Sequence, residues 1–508
     1  MFALTTDVDP NRCRTLGLVG SAALTAGGLT AGALPVREAF LPSSGRAAVG
    51  LLGVYFGLVL LIAAWWWLGR AVRGPRPPAP RELLVTLGLW AAPLVLGPPL
   101  FSRDVYSYLA QGAMVDAHID VYAHGPAHLG GPLATEVAPV WRHTPAPYGP
   151  VFLAVAEKAA GLARTDLTAA LLGMRLVALL GVGLMIAFLP LLADRCGVDR
   201  SAALWLGALN PLVLLHLVAG AHNDALMIGL LGAGLVVALG RDAKAAPDAA
   251  GRAGLSRYLP GGWSAAAAVL VTLAALVKAP AALGLTAVAA LWSARLAGRA
   301  PTLRAAVLTC AVALATTALV TAVTGTGYGW LSTLSTPVSP DNWSLTSALG
   351  RLTGALLDTL GGGLGESAVP AWRWFGLLAT GVAVVVLWLR RVRLGPVYAL
   401  ALSLLTVFAL GPAFRPWYAL WGLFLIAAAA PDGRVRRWAA VGSGVLALGL
   451  LPSGSPPDGA QLTLAVGGGL LALLALWWMV QLSGTGALSS SSRALSYSRD
   501  ASRTRAAS

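Results

Sequence analysis

The sequence predicts an all-α, polytopic membrane protein, and composition and hydropathy carry the prediction. Of 508 residues, 57% are hydrophobic and 11% are charged, and the mean hydropathy is +0.73. A soluble globular protein carries charge on about a quarter of its residues, so a soluble fold of this length could not cover its surface. A soluble enzyme and a nucleic-acid-binding protein are therefore excluded, although the net charge is +15.

The apolar segments set the predicted architecture. A spanning helix needs about 20 apolar residues, and this length predicts a bundle of about 14 spans. The candidate spans are 15–34, 47–69, 82–100, 173–193, 201–219, 222–240, 262–279, 281–297, 303–323, 372–389, 396–413, 417–430, 437–452 and 460–482. They form one predicted transmembrane domain over residues 1–482. The Ser- and Arg-rich segment 483–508 is predicted to be a disordered cytoplasmic tail.

The basic residues predict the orientation. With the N-terminus inside, the inner segments hold 25 of the 36 Lys and Arg residues, and the outer segments hold 11. Cytoplasmic loops are enriched in positive charge, so both termini are predicted to be cytoplasmic in a multi-pass protein of the cell membrane. Two long outer loops result, about 101–172 and 324–371. Their apolar stretches, 150–163 and 345–361, are predicted to be helices on the membrane surface.

This layout limits the possible chemistry. No inner loop is long enough for a nucleotide-binding domain, and the sequence has no phosphate-cradling glycine loop that ends in Lys-Ser or Lys-Thr. The polar residues collect on the predicted outer face, where nucleotide-activated substrates are scarce. An enzyme that works there must take its activated group from a membrane-borne donor.

The first outer loop opens with the strongest catalytic candidate. Asp104 is the acid nearest the predicted membrane boundary, where a carboxylate could deprotonate the hydroxyl of a sugar acceptor. The alternative is a helix-terminal residue in a local ion pair with Arg103. Further along, 141–150 combines aromatic, basic and proline residues, a mixture that suits carbohydrate binding.

Other polar groups on this face have structural as well as functional interpretations. His222, Asn223 and Asp224 open a predicted helix, where Asn223 or Asp224 could simply cap it. Lys278 and Arg415 lie at outer helix ends, where each could extend to the interface or bind a lipid phosphate. His124 and His128 could ligate a metal, but no further metal-binding pattern accompanies them, so no metal site is predicted.

Four motifs together carry a family resemblance. The segment 103–112 (RDVYSYLAQG) resembles the signature of polyprenyl-phosphate-mannose-dependent α-1,6-mannosyltransferases. So do 147–150 (PYGP), 222–225 (HNDA) and 415–418 (RPWY). The match runs in the family's order over roughly residues 80–430. One departure is 120–122, which reads Asp-Val-Tyr where the family has Asp-Pro-Tyr, and it leaves loop shape and acceptor choice in doubt.

The resemblance implies a GT-C glycosyltransferase fold, with Asp104 in the position of the catalytic residue. It also implies a polyprenyl-phosphate-mannose donor, a mannan or glycolipid acceptor and a role in building a lipomannan-type backbone, with no cofactor. The remaining candidates are assigned to substrate binding. They are Arg103, Tyr106, Tyr108, Gln111, Arg142, His143, Tyr148, His222, Asn223, Asp224, Lys278, Arg415, Trp417 and Tyr418.

The expected reaction inverts the anomeric centre. Asp104 would accept the proton of an acceptor hydroxyl, and the leaving group would be a lipid phosphate. A phosphate needs little protonation, so one carboxylate could suffice where glycoside hydrolysis uses two.

Two alternatives remain open from the sequence. One is a transporter or flippase of a lipid-linked sugar, although transporters commonly show internal repeats and none is visible here. The other is an enzyme of the same architecture with another donor, such as an arabinosyltransferase or a protein O-mannosyltransferase.

Overall fold

The computed structural model describes residues 9–163, 166–240, 262–335, 343–361, 363, 365–455 and 457–481, and these contain helices and no strands. The predicted tail 483–508 lies outside the described residues. The α-helices are α1 Pro10–Ala31, α2 Gly45–Val72, α3 Pro80–Leu96, α4 Asp104–Asp116, α5 Gly131–Glu136, α6 Pro150–Ala163, α7 Leu167–Arg195, α8 Arg200–Gly207, α9 Asp224–Leu239, α10 Gly262–Val277, α11 Gly284–Ser293, α12 Pro301–Thr324, α13 Leu345–Thr359, α14 Gly365–Leu389, α15 Arg391–Leu394, α16 Pro396–Leu410, α17 Ala419–Ala429, α18 Arg434–Ala447 and α19 Gly459–Gln481.

The helix lengths confirm a membrane protein. In the described part of the chain, five helices are long and apolar enough to cross a bilayer, namely α2, α7, α12, α14 and α19. A sixth span results if the π-helix Val213–Ala219 and α9, which meet at 109°, count as one.

The predicted count of about 14 spans is not confirmed. Several apolar segments fold as shorter helices, because Pro or Gly lies where one helix passes into the next; Ala279–Ser293 and Pro416–Ala429 are two of them. The two apolar stretches of the predicted outer loops are helical, as α6 and α13. Their position on the membrane surface stays a prediction.

Small residues bring α1 and α2 into close contact. A Cβ atom at Gly20 would lie 2.8 Å from the carbonyl oxygen of Gly57, and one at Gly50 would lie 2.7 Å from that of Gly27. Glycine at such positions lets two membrane helices approach backbone to backbone. This hairpin supports the segment that follows α3 and leads to α4.

A buried arginine connects the segments that flank Asp104 and His222. Arg175, within α7, is 6% exposed. Its Nη1 donates to the carbonyl oxygens of Val95 at 2.7 Å and Gly97 at 2.6 Å, and its Nη2 donates to that of Ala219 at 3.0 Å. These carbonyls end α3 and the π-helix, where helix dipoles favour a positive charge.

Two residues with left-handed backbone conformations precede the polar residues of the site. Phe101 has a φ of 62° and Ala221 a φ of 53°, a region that costs a non-glycine residue about 1–2 kcal/mol. Each residue is nearly inaccessible to solvent, and the N–H of Phe101 donates to the carbonyl oxygen of Pro452 at 2.8 Å. Such strain persists where the surroundings fix the conformation, so these turns direct Asp104 and His222 toward each other.

Replacing Arg175 tests whether this residue holds the ends of α3 and the π-helix together. Arg175→Met leaves three buried carbonyl groups without their donors, and we expect it to destabilise the protein by about 3 kcal/mol or more. The measurement is thermal unfolding in detergent. Arg200→Met is the control, because Arg200 is half-exposed and its ion pair with Asp194 lies at the surface, where a pair contributes at most about 1 kcal/mol. Equal effects of the two changes would contradict the assigned role.

Candidate active site

The site is built on one face of α4. Asp104 opens this helix, where the dipole favours a carboxylate, and its own N–H donates to Oγ of Ser102 at 3.0 Å. Residues three or four apart share a helix face, so Asp104, Ser107 and Gln111 form one stripe. All three line the same cleft.

The cleft joins segments that lie far apart in the sequence. Its empty space, which includes open solvent at the mouth, is about 420 Å³. The lining residues are Asp104, Ser107, Gln111, Trp141, Thr144, Pro145, Pro147, Tyr148, Arg415 and Tyr418. A carboxylate and a guanidinium are thus placed in one cleft with aromatic and proline rings around them.

A layer of buried aromatic and polar side chains supports Asp104 from behind. Nδ1 of His222 lies 3.8 Å from Oδ2 of Asp104, and the Tyr108 hydroxyl lies 3.1 Å from the same nitrogen. The rings of His222 and Trp417 pack at a centroid distance of 4.1 Å. Because His222 and Tyr108 are fully buried, this layer restricts the position of the carboxylate.

A buried ion pair forms the neighbouring wall. Nζ of Lys278 donates to Oδ1 of Asp224 at 3.0 Å and to Oδ2 at 2.8 Å. Nε1 of Trp421 also donates to Oδ1 of Asp224, at 2.6 Å. The Lys278 ammonium lies 4.5 Å from the ring centroid of Tyr418, within cation–π range. The pair therefore holds Lys278 charged and fixes the aromatic side of the cleft.

Arg415 lines the cleft together with Trp141. Its guanidinium lies 5.5 Å from the ring centroid of Trp141, and its Nη1 donates to the carbonyl oxygen of Phe414 at 3.3 Å. Pro416 follows at once and fixes the backbone φ. Arg415 is therefore a cation on a restricted segment that faces the cleft.

The structure groups most of the candidates predicted from the sequence. Asp104, Gln111, Tyr148, Arg415 and Tyr418 line the cleft. Behind them, or in the adjoining wall, lie Tyr108, His222, Asn223, Asp224, Lys278 and Trp417. The substrate-binding roles of these residues stay predictions.

The other four candidates belong neither to the cleft lining nor to the groups behind it. Arg103 donates to the carbonyl oxygens of Leu34 at 2.7 Å and Glu136 at 2.9 Å, and it pairs with the Glu136 carboxylate at 3.2 Å. The Tyr106 hydroxyl donates to the carbonyl oxygen of Ala33 at 2.7 Å. Arg142 donates to the carbonyl oxygens of 135 and 137 within its own loop, and His143 is exposed. The Arg103–Asp104 pair considered from the sequence is thus replaced by an Arg103–Glu136 pair.

Sequence reasoning missed two functional candidates, Ser107 and Trp421. Ser107 lies three residues after Asp104, and that spacing could have placed it in the cleft. Nothing in the sequence around Trp421 indicates its contact with Asp224, which comes from a distant helix.

The two histidines considered as metal ligands, His124 and His128, stack at a ring-centroid distance of 4.1 Å. Within the described ranges no three His, Cys, Asp or Glu residues cluster closely enough to hold a metal ion.

Burial raises the pKa of Asp104 above its ordinary value. The positive charges of Arg415 and Lys278 oppose this shift, the negative charge of Asp224 adds to it, and the hydrogen bond with Ser102 opposes it. A carboxylate with a raised pKa is a stronger proton acceptor, as general-base catalysis requires.

The fold and the cleft define an all-helical integral membrane protein with an enzyme-like site. The chain belongs to the alpha-(1->6)-mannopyranosyltransferase family: the model of its N-terminal domain matches residues 14–295, and the model of the MptB C-terminal domain matches residues 346–480. The family resemblance predicted from the four motifs is thereby confirmed.

Curated relatives cover most of the chain. A probable alpha-(1->6)-mannopyranosyltransferase of Mycolicibacterium smegmatis is 39% identical over 449 residues, which span 82% of this chain and 78% of the relative. A Mycobacterium tuberculosis alpha-(1->6)-mannopyranosyltransferase is 37% identical over 468 residues, with the same two coverages. Alpha-(1->6)-mannopyranosyltransferase B of Corynebacterium glutamicum is 30% identical, over 93% of this chain and 82% of its own length. No solved structure matches the chain.

The charges around Asp104 predict that kcat/KM for mannose transfer depends on pH. If its carboxylate accepts a proton during transfer, kcat/KM should rise with pH as Asp104 ionises, along a limb above the ordinary aspartate pKa of about 3.9. Arg415 lowers the pKa of Asp104, so Arg415→Gln should move the limb to higher pH. The measurement is the pH profile of kcat/KM in detergent. A limb that stays in place in Arg415→Gln would contradict the coupling.

Proposed function

We propose that the protein transfers mannose from polyprenyl-phosphate mannose to a mannan or glycolipid acceptor and forms α-1,6 linkages with inversion. The reaction takes place on the outer face of the cell membrane, uses no cofactor and extends a lipomannan-type backbone. One observation carries the proposal: Asp104 and Arg415 line one cleft, where a base and a phosphate-binding cation can act on the same substrate. The names of the relatives favour a mannosyltransferase over a flippase or an arabinosyltransferase.

The outer-face location rests on charge. In the topology that places 25 of the 36 basic residues inside, Asp104, Lys278 and Arg415 all lie at outer helix ends. A sugar donor on that side must be anchored in the membrane, and a mannosyl phospholipid presents its phosphate at this depth.

In the proposed reaction, Asp104 and Arg415 have different roles. Asp104 accepts the proton of the acceptor's 6-hydroxyl, while that oxygen forms a bond to the anomeric carbon of a β-linked donor. The bond from the anomeric carbon to the phosphate oxygen breaks on the opposite face, and the electron pair leaves with the polyprenyl phosphate. Arg415 binds the phosphate with parallel hydrogen bonds. Lys278 donates to both carboxylate oxygens of Asp224 and does not line the cleft, whereas Arg415 does, so Arg415 is the better phosphate ligand.

Asp104→Asn tests the base. The amide cannot accept the proton, so transfer from radiolabelled polyprenyl-phosphate mannose to a short α-1,6-mannoside should fall by about 100-fold or more. The fold should persist, since the charge of one residue at a helix N-terminus contributes about 0.3–1 kcal/mol. Asp432→Asn is the control, because the Asp432 side chain is 96% exposed. Near-normal specific activity of purified Asp104→Asn would exclude Asp104 as the base.

Arg415→Lys tests the phosphate contact. Lysine keeps the charge but loses the planar fork that holds two phosphate oxygens, so the donor KM should rise about 10-fold and the acceptor KM should stay constant. Arg415→Ala should have a larger effect, since it removes the charge as well. The control is Arg351→Lys, an exposed residue of α13. An unchanged donor KM in Arg415→Ala would shift the phosphate contact to Lys278.

A further inference from the structure

Two polar side chains of the cleft take no part in the steps described for the proposed transfer. Ser107 and Gln111 follow Asp104 on the same face of α4 and line the same cleft, and each is 4% exposed. Oγ of Ser107 and Oε1 of Gln111 are buried and have no hydrogen-bond partner in the described structure. Leaving a buried polar atom unpaired costs about 1–3 kcal/mol, so a ligand that pairs with these atoms gains from doing so.

The side chain of Ser107 differs from buried hydroxyl groups that bond within their own helix. Hydroxyl groups within helices commonly bond to the carbonyl four residues earlier, as Ser403 does at 2.8 Å and Thr272 at 2.7 Å. Ser107 makes no such bond. Four buried hydroxyl groups elsewhere in the described structure, on Ser21, Thr25, Thr309 and Thr321, are also unpaired, but these residues do not line the cleft.

The spacing along α4 suits a chain of sugars. At about 1.5 Å of rise per residue, Ser107 lies about 4.5 Å and Gln111 about 10.5 Å along the helix from Asp104. Trp141, Pro145 and Pro147 also line the cleft, and such rings pack against the apolar face of a sugar. A row of hydrogen-bonding groups with an aromatic and proline surface beside it suits a chain of sugars better than a single hydroxyl group.

We propose that Ser107 and Gln111 form the acceptor subsite and set the minimum length of the acceptor. Ser107 binds a hydroxyl of the terminal mannose, whose 6-hydroxyl meets Asp104. Gln111 binds a hydroxyl of the second mannose. The assignment rests on the proposed function: the ring next to the base must be the acceptor's, because the donor's phosphate lies on Arg415.

Acceptors of different length distinguish the role of Ser107 from that of Gln111. With saturating donor, wild-type protein should use methyl α-1,6-dimannoside better than methyl α-mannoside. Gln111→Met keeps the side-chain length but removes the oxygen, so kcat/KM for the dimannoside should fall about 5- to 30-fold while that for the monomannoside stays constant. Ser107→Ala should lower both values by a similar factor and leave the donor KM unchanged.

The controls distinguish a structural effect from the proposed one. Ser403→Ala removes an equally buried hydroxyl outside the cleft and should change neither acceptor constant. Ser107→Cys replaces the hydroxyl group with a slightly larger thiol that hydrogen-bonds only weakly, and it should resemble Ser107→Ala. Thermal unfolding reports whether each variant is folded.

Each of the other possible kinetic results contradicts either the acceptor subsite or the proposed function. A raised donor KM with unchanged acceptor constants would place Ser107 and Gln111 on the donor side and overturn the proposal. Unchanged kinetics in active variants would also overturn it and leave the proposed function intact. A wild-type protein that transfers no mannose to either acceptor from polyprenyl-phosphate mannose would reject the proposed function, and the acceptor subsite with it.

Discussion

The bonds of Arg175 to the ends of two helices determine where the site can form. α3 and the π-helix end shortly before Asp104 and His222 in the sequence, and each end presents carbonyl groups that have no partner within its own helix. One buried guanidinium satisfies three of these carbonyls. Its charge is balanced by helix dipoles rather than by a carboxylate. The segments that lead to Asp104 and His222 are thereby held side by side, although they come from distant parts of the chain.

The second constraint is the buried pair of Asp224 and Lys278. Removing two charges from water costs several kcal/mol per ion, and the pair recovers this only with good geometry and further hydrogen bonds. Both conditions are met, since both carboxylate oxygens accept from Lys278 and Trp421 supplies one more bond. The consequence is a cation fixed beside the cleft, where its charge favours the ionised form of Asp104.

The sequence predicts the class of fold and the central residues of the site, but not the contacts that hold them. Composition alone predicts a membrane protein, and the sequence identifies Asp104 and Arg415 as candidates for the site. The count of about 14 spans is not confirmed, because several predicted spans, such as 262–279 and 396–413, fold as helices of 10–17 residues. Arg103 and Asp104 are adjacent in sequence, yet the Arg103 guanidinium is bound to Leu34 and Glu136. Partners so distant in sequence leave no local pattern.

The charges of the cleft are suited to the proposed transfer. Before reaction, Asp104 and the phosphodiester donor each carry one negative charge; afterwards the carboxyl is neutral and the phosphate monoester carries two. The total charge is unchanged, so the buried site need not stabilise a net gain of charge as the bond to phosphate breaks. The two cations, Arg415 and Lys278, remain fixed while negative charge moves from the carboxylate to the phosphate. Preorganised groups of this kind stabilise a transition state without reorganising, and this explains how one carboxylate and one arginine could suffice for inversion.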